Sequence, residues 1–444
     1  MRNMQIPEKV NQIIHTLIQA GYEAYAVGGC VRDALLERVP DDWDITTSAQ
    51  PMEVKALFPH TIDTGIQHGT VTVMLKGEGF EVTTYRIDGE YEDSRHPKEV
   101  RFTSNLTEDL KRRDFTINAM AYNEEAGLVD VFGGVEDIQR KMIRCVGDPH
   151  ERFTEDALRI LRAVRFSAQL GFAIHPDTQE SIAQMAPSLS RISAERIAVE
   201  LLKLLVSPHP DTMRLAWELG ITKVILPEFD DMMATPQNTP HHCYSVGEHT
   251  IKSLTEIPAD KVLRLTMLLH DMGKPRTRIT DENGRDRFPC HSVTSEELVK
   301  KILRRLKLDN DTISKVTRLV KWHDYRCKPT YQAVRRAVNK IGEDLFPMLL
   351  LVQKADAMAQ STYRREEKLE RIQNVEEIYA DIQKEGQCVS LKTLAVTGSD
   401  LIAQGMKPGP EIGETLNYLL DAVLEDPSCN TKEYLLHLLR AENK

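Results

Sequence analysis

A chain of 444 residues is longer than one typical domain and points to two to four, and an apolar share of 41% is ample for buried cores. A formal net charge of −10 excludes a uniformly basic nucleic-acid binder, so any RNA contact has to use local basic patches. Seven scattered cysteines with no Cys-x-x-Cys pair exclude a disulfide framework or a zinc ribbon and fit a reducing cytoplasm, and the apolar runs, densest at 346–352, are too short for a signal core or a membrane span.

In chain order, 7–20 has helical periodicity, with Val10, Ile13, Ile14, Leu17 and Ile18 apolar, and Gly21 ends it. Gly28 and Gly29 then stand between a short apolar strand and an amphipathic helix. Two glycines there let backbone N–H groups approach a ligand, with a helix N-terminus behind them. Asp42 and Asp44 are two apart in what reads as the next strand, which points both carboxylates to one side and Trp43 to the other. Paired carboxylates beside a phosphate cradle suit Mg²⁺ and suggest phosphoryl or nucleotidyl chemistry. A helix is expected over 51–58 and a hairpin over 71–75 and 80–84. Glu81 has two readings, a third acidic group near the metal or a solvated strand residue. The stretch 88–97 is polar, carries Gly and Pro, and reads as a loop. Lys111-Arg112-Arg113 is a basic triplet, on its own a solvated face.

The order Gly28-Gly29-Cys30-Val31-Arg32-Asp33, then Asp42-Trp43-Asp44, then Arg113-Asp114-Phe115-Thr116-Ile117-Asn118-Ala119 resembles the signature of the class II CCA-adding tRNA nucleotidyltransferases and their poly(A) polymerase relatives. The resemblance implies a polymerase-beta-like α+β head with a mixed sheet and helices. It implies Mg²⁺ on Asp42 and Asp44 as the catalytic pair, nucleotide contacts from Gly29 and Arg32, and phosphate contacts from Arg113, with Asp114 and Asn118 near the ribose. In that family a loop at 88–97 helps switch from C to A addition. Arg95-His96 stands here where the family usually has two arginines.

Glu155-Asp156-Ala157-Leu158-Arg159 to Phe166 reads as one helix with Thr154 as N-cap and Arg159, Arg162 and Arg165 in a slowly drifting stripe. One reading is an ordinary amphipathic helix with a surface Asp–Arg pair. The resemblance supplies another, an amino-acid template. Cytosine and adenine both present an amino donor beside a ring-nitrogen acceptor. Asp156 accepting and Arg159 donating select those two, and guanine or uracil leaves buried charges unpaired. By the same match Arg162 and Arg165 help hold the nucleotide. A capped helix at 193–205 resembles the last family motif.

Histidines gather from 237 onward: His241, His242, His249, His270-Asp271, His291, His323 and the distant Asp356. The pattern resembles the HD phosphohydrolases, and implies His249, His270, Asp271 and Asp356 as ligands of a transition metal, with His291 and His323 available to a second. Whether such a module is active stays open. Charged helix 364–385 and closing helices at 415–425 and 431–440 complete the chain. The fold expected is therefore an α+β head at 1–150, an all-α neck at 151–232, an HD domain at 233–362 and a tRNA-binding helical body at 363–444. The partners expected are tRNA, CTP and ATP, without a membrane. Rival functions are a poly(A) polymerase, a partial CC- or A-adding enzyme, or a metal phosphohydrolase acting on RNA ends or cyclic nucleotides.

Overall fold

The computed structural model describes residues 4–88 and 100–442, so the expected loop lies, from Gly89 on, outside the described residues. Two compact units follow one another, Met1–Pro227 and Glu228–Lys444. Head and neck therefore share the first unit.

The first unit opens with α1 (Glu8–Gln19), whose Val10, Ile13, Ile14 and Leu17 are buried as the periodicity requires. Its sheet uses β1 (Ala24–Val27), β2 (Ile45–Thr47), β3 (Thr61–Gly65), β4 (Thr70–Leu75) and β5 (Glu78–Thr84). A small pair, β6 (Arg86–Asp88) with β7 (Val100–Phe102), stands apart, and β8 (Ala121–Asn123) and β9 (Gly127–Val129) complete the main sheet. The strand order is β3-β4-β5-β2-β1-β8-β9. The hairpin forms as expected, with Val71 opposite Val82 and Val73 opposite Phe80, all buried. Strand β2 runs antiparallel to β1 and parallel to β5. That mixed pairing brings the C-terminal end of β1, the approach to β2 and the middle of β5 to one place. Helices α2 (Gly29–Leu35), α3 (Pro51–Leu57), α4 (Leu106–Lys111) and α5 (Gly134–Gln139) surround the sheet.

The neck departs from the single helix expected over 155–166. The chain forms α6 (Pro149–Glu155), capped by the Asp148 carboxylate on the His150 N–H, and then α7 (Leu158–Leu170). Asp156 between them is extended, with φ −140° and ψ 104°. Its carboxylate accepts the Leu158 N–H at 3.0 Å. An Asp side chain that captures a backbone N–H two residues on competes with helix continuation, and here it ends one helix and begins the next. Thr154 lies inside α6 and does not cap. After α8 (Pro176–Met185), α9 (Ala194–Leu205) buries Leu201, Leu204 and Leu205 beside α7.

The second unit is mostly helical. Val246–Thr255, Lys261–Leu269, His291–Arg305, Asn310–Trp322 and Phe346–Ala359 carry or flank the histidines. Tyr331–Ile341 and Arg365–Lys384 pack on a core that includes Leu319, Val334, Phe346 and Val375. A smaller core joins Gly398–Ala403, Pro410–Glu425 and Lys432–Glu442. The second of these starts at Pro410, before the expected Thr415, because Pro is well suited to a first helical turn. Among the described residues no helix is long and apolar enough to cross a membrane. All seven cysteines are free.

Candidate active site

Gly28 sits where β1 ends, at φ +85°, a backbone region glycine alone enters freely. A Cβ there would stand 2.9 Å from Arg113 Nη1. Conformation therefore calls for glycine at 28, and the absent Cβ leaves room for the guanidinium. Gly29 begins α2, a helix of seven residues. Asp42 and Asp44 lie on the extended approach to β2, just before its first assigned residue. The Val27 N–H donates to the Asp44 carbonyl at 3.0 Å, which continues the ladder one step beyond the strand. Trp43 packs on the head core, so the expected alternation holds.

Because Ile45 pairs with Val82 in parallel register, Glu81 comes level with Asp44. The three carboxylates feel one another. The Asp44 carboxyl, solvent-exposed but closely ringed by protein, is pushed up by desolvation and by Asp42, with Arg113 opposing. Glu81 is pushed up by desolvation and then by Asp44 and Asp42. A cluster in which Asp42 disfavours ionisation of both Asp44 and Glu81 has the oxygen donors and negative charge that fit a hard divalent cation.

Of the basic triplet only Lys111 is solvated; Arg112 and Arg113 turn inward. Asp109, fully buried, accepts from Arg112 Nε and Nη2 at 3.0 and 2.9 Å and lies 3.6 Å from Arg113. Burial pulls Arg113 downward while Asp109, Asp44 and Asp114 favour its charge. Arg32 donates to Asn118 Oδ1 at 2.7 Å and pairs with Asp33. Asn118 in turn donates to Asp114 Oδ1 at 3.1 Å, and Arg162 binds Asp114 Oδ2 through Nε and Nη2 at 2.8 and 2.6 Å. Burial opposes ionisation of Asp114, but Arg162 and Asn118 outweigh it and hold the carboxyl down at about 2. A continuous polar chain therefore runs from α2 through the Asp114–Asn118 turn to α7.

Each arginine of α7 has its own carboxylate. Glu155 takes Arg159 and Arg152, both at 2.5 Å. Arg159 also donates to the carbonyls of Arg152 and Arg112. Asp114 takes Arg162. Glu200 on α9 takes Arg165 at 2.8 Å in a pair with both side chains under a tenth exposed. Asp156 is held by Arg196 Nη2 at 2.8 Å. Arg165 is thus the most deeply committed of the nucleotide-site candidates.

The second unit gathers the histidines. His249 Nε2 lies 2.8 Å from Asp356, and His270 Nε2 lies 3.1 Å from Asp271. His249, His270 and Asp271 form one convergent donor group, and Asp271, His291 and His323 form another. The Nδ1 atoms of His270, His291 and His323 each face a backbone carbonyl three residues earlier, at 2.7, 3.0 and 2.6 Å. A carbonyl only accepts, so those nitrogens carry the proton and the Nε2 atoms point inward, that of His270 toward Asp271, which favours the charged ring against burial. Burial, then His270, pulls His323 down to about 4, which keeps it neutral. Lys274 Nζ pairs with Asp271 at 2.7 Å and with Gln237 at 2.8 Å. A cavity of roughly 260 Å³ over the cluster is lined by His241, His242, Lys274, Arg326 and Lys368 among others.

Family models match three stretches: the poly A polymerase head domain over 24–144, the probable RNA and SrmB-binding site of polymerase A over 171–233, and the putative tRNA nucleotidyltransferase domain 2 over 288–439. The CCA-adding enzyme of Levilactobacillus brevis is 37% identical over 97% of this chain and 96% of its own. The chain belongs to the CCA-adding enzyme family. It is a nucleotidyltransferase. The CCA-adding enzyme of Geobacillus stearothermophilus is 56% identical over 196 residues, 44% of this chain and 48% of its own. Among solved structures, the Bacillus stearothermophilus CCA-adding enzyme in complex with CTP superposes with a TM-score of 0.72 at 31% identity, covering 99% of both chains. The Thermotoga maritima CCA-adding enzyme complexed with tRNA shares the fold, with a TM-score of 0.59 at 21% identity.

The structure brings Asp42 and Asp44 together with Glu81 and Arg113, and links Arg32 to Arg162. Asp156 and Arg159 flank the break between α6 and α7. The sequence reading missed Asp109, Glu200 and Phe166, and gave Arg196 only a structural motif. Spacing offered no signal for Glu200, whose partner Arg165 is set by tertiary packing; Asp109 stands three and four residues before Arg112 and Arg113, a helical spacing that could have paired them.

Proposed function

We propose that this chain adds C, C and A to the 3′ end of tRNA from CTP and ATP, without a nucleic-acid template. The reaction joins the tRNA 3′-oxygen to the α-phosphate and releases pyrophosphate. The convergence of Asp42, Asp44 and Glu81 at one end of the sheet, beside Arg113, carries this reading. These carboxylates would hold Mg²⁺, which when bound supplies charge neutralisation at the transferring phosphate. Arg113 and Arg32 supply guanidinium donors for the triphosphate oxygens. Asp114, kept ionised by Arg162 and Asn118, offers an acceptor to a ribose hydroxyl. Asp156, fixed by Arg196, accepts from the amino group of cytosine or adenine, and Arg159, fixed by Glu155, donates to the ring nitrogen. A base with the reversed pattern faces acceptor with acceptor and donor with donor. Arg165 serves the nucleotide by keeping α7 on α9.

The test is stepwise extension of tRNAs ending before C74, C75 and A76 with each single triphosphate. Incorporation of CMP twice and AMP once supports the proposal. Repeated AMP addition to arbitrary RNA favours the poly(A) polymerase reading, and arrest after C75 favours the partial one.

A second metal centre is favoured by one observation, the two donor groups sharing Asp271. His249, His270, Asp271 and Asp356 would hold one transition-metal ion, with His291 and His323 available to a second. The buried His270 Nε2, turned toward Asp271, and the Nδ1 protons fixed by backbone carbonyls fit that role. A bound ion there would supply Lewis-acid activation for phosphate-ester hydrolysis. Lys274 steadies Asp271, and Arg326 and Lys368 face the entrance with charge that suits a phosphate. Hydrolysis of phosphate esters that survives Asp44→Ala and is lost in His270→Ala supports this centre.

A further inference from the structure

Phe166 lies at the centre of the nucleotide-site arginines. The Arg165 guanidinium carbon stands 3.6 Å from its ring centroid, that of Arg32 5.0 Å and that of Arg162 5.3 Å. Phe115, one residue beyond Asp114, meets the same ring edge-on at 5.8 Å and 83°. Phe166 is 5% exposed and Phe115 fully buried, so the ring is fixed from behind. Three cations around one phenyl ring repel one another. Asp33, Asp114 and Glu200 each balance one of them.

A carboxylate and an aromatic ring hold a guanidinium in different ways. The carboxylate occupies N–H donors, so a phosphate has to compete with it. The ring attracts the flat face through its quadrupole and leaves the N–H edge available. We infer that Phe166 is a positioning residue for nucleotide binding: beside the carboxylates that occupy donors of Arg32 and Arg162, its ring adds a hold that takes no N–H donor, and so keeps both guanidiniums in place when a triphosphate exchanges with those carboxylates. The inference rests on the reading that Arg32 and Arg162 bind the nucleotide. It follows that CTP and ATP feel the ring equally, because it acts on the triphosphate and not on the base.

The test compares Phe166→Leu with Phe166→Tyr on tRNA extension in the full-length enzyme. In Phe166→Leu, KM for CTP and for ATP should rise together by about tenfold, as expected for a desolvated cation–aromatic contact, with KM for tRNA unchanged and kcat within about threefold. Phe166→Tyr should restore both nucleotide KM values. Adding Phe166→Leu to the Arg32→Gln/Arg162→Gln double variant should raise KM no further, whereas a ring that only fills space would add its effect independently. If Phe166→Leu is unstable, Phe166→Met takes its place, with thermal midpoints measured alongside. Unchanged nucleotide KM in a folded ringless variant overturns the inference while leaving the nucleotide reading intact. Unchanged KM in both Arg32→Gln and Arg162→Gln overturns the reading and the inference together.

Discussion

Replacing Asp114 by Asn keeps side-chain volume and leaves an oxygen for the Phe115 N–H, which Oδ1 now accepts at 2.8 Å. It removes the charge that Arg162 binds. Ionisation of Asp114 is favoured in the fold from an ordinary 3.8 to about 2, and at 1.36 kcal/mol per unit that is about 2 kcal/mol of stability. The side chain is 8% exposed, so solvent screening takes little from this figure. The sign is that of a lowered carboxyl: the contribution is complete well above the ordinary 3.8 and is lost as pH falls towards about 2. Urea unfolding of wild type and Asp114→Asn should differ by about 2 kcal/mol at pH 7 and at pH 5, and by roughly 1 kcal/mol at pH 3. Tryptophan fluorescence gives the transition, and urea leaves ionic strength unchanged. A gap under about 0.5 kcal/mol at pH 7 refutes the energetic role of the charge. A gap that stays constant down to pH 3 refutes its assignment to ionisation.

Asp44→Asn should reduce nucleotide incorporation by at least about a thousandfold while leaving the thermal midpoint equal or higher, because it relieves the repulsion with Asp42 and Glu81. A lowered midpoint would show that the acidic cluster is structural. Asp156→Ala should let GTP and UTP be incorporated at rates within about tenfold of CTP, read from single-nucleotide extension with each triphosphate; unchanged discrimination places base selection elsewhere. Glu200→Leu should cost about 3–5 kcal/mol by stranding buried Arg165, and the double variant with Arg165→Met should recover most of it. If the recovered double variant still shows raised nucleotide KM, Arg165 touches the nucleotide directly. Elemental analysis of the purified protein should find a transition metal that His270→Ala loses, with tRNA extension retained; equal metal content in both removes the second centre.

Local pattern carried much of the first unit. The helix at 8–19, the hairpin and the Gly28–Asp44 unit depend on periodicity and turn chemistry, which a short window contains. Glu81 was ambiguous because its closeness to Asp44 arises from parallel pairing of β2 with β5, a long-range choice no local alternation encodes. The basic triplet alone could not be told from a solvated face for the same reason: Asp109 is within one helical turn of Arg112, but its burial under Thr46 and the Arg86 backbone is tertiary. The break at Asp156 was missed because apolar spacing continues across it. Only the capping preference of Asp148 and Asp156 marks two helices. In the second unit the histidines were conspicuous by composition, but their convergence on Asp271 brings together His291 and His323 from two different helices, which no local window contains.

An arginine stripe on a helix does not by itself make an anion site, and α7 shows why. Arg159, Arg162 and Arg165 recur at one spacing, yet the fold gives them three different carboxylates at three depths. Arg165 and Glu200 are almost sealed from water, so a nucleotide would have to break a buried pair to reach that guanidinium, which is costly. Arg162 is about a third exposed, and its partner Asp114 is shared with Asn118 and thereby with Arg32. An incoming triphosphate can exchange with that carboxylate at lower cost, since the negative charge it brings replaces the one it displaces. Arg159 is pinned by Glu155 and two carbonyls, which suits a donor that must present one fixed geometry to a base edge. On the proposed function, equal spacing therefore serves three roles, graded by how firmly each counter-charge is held: framework, exchangeable phosphate contact and rigid reader. Under that proposal a chain with ten excess negative charges binds a polyanion at this site because the fold decides which of its cations are released to a ligand.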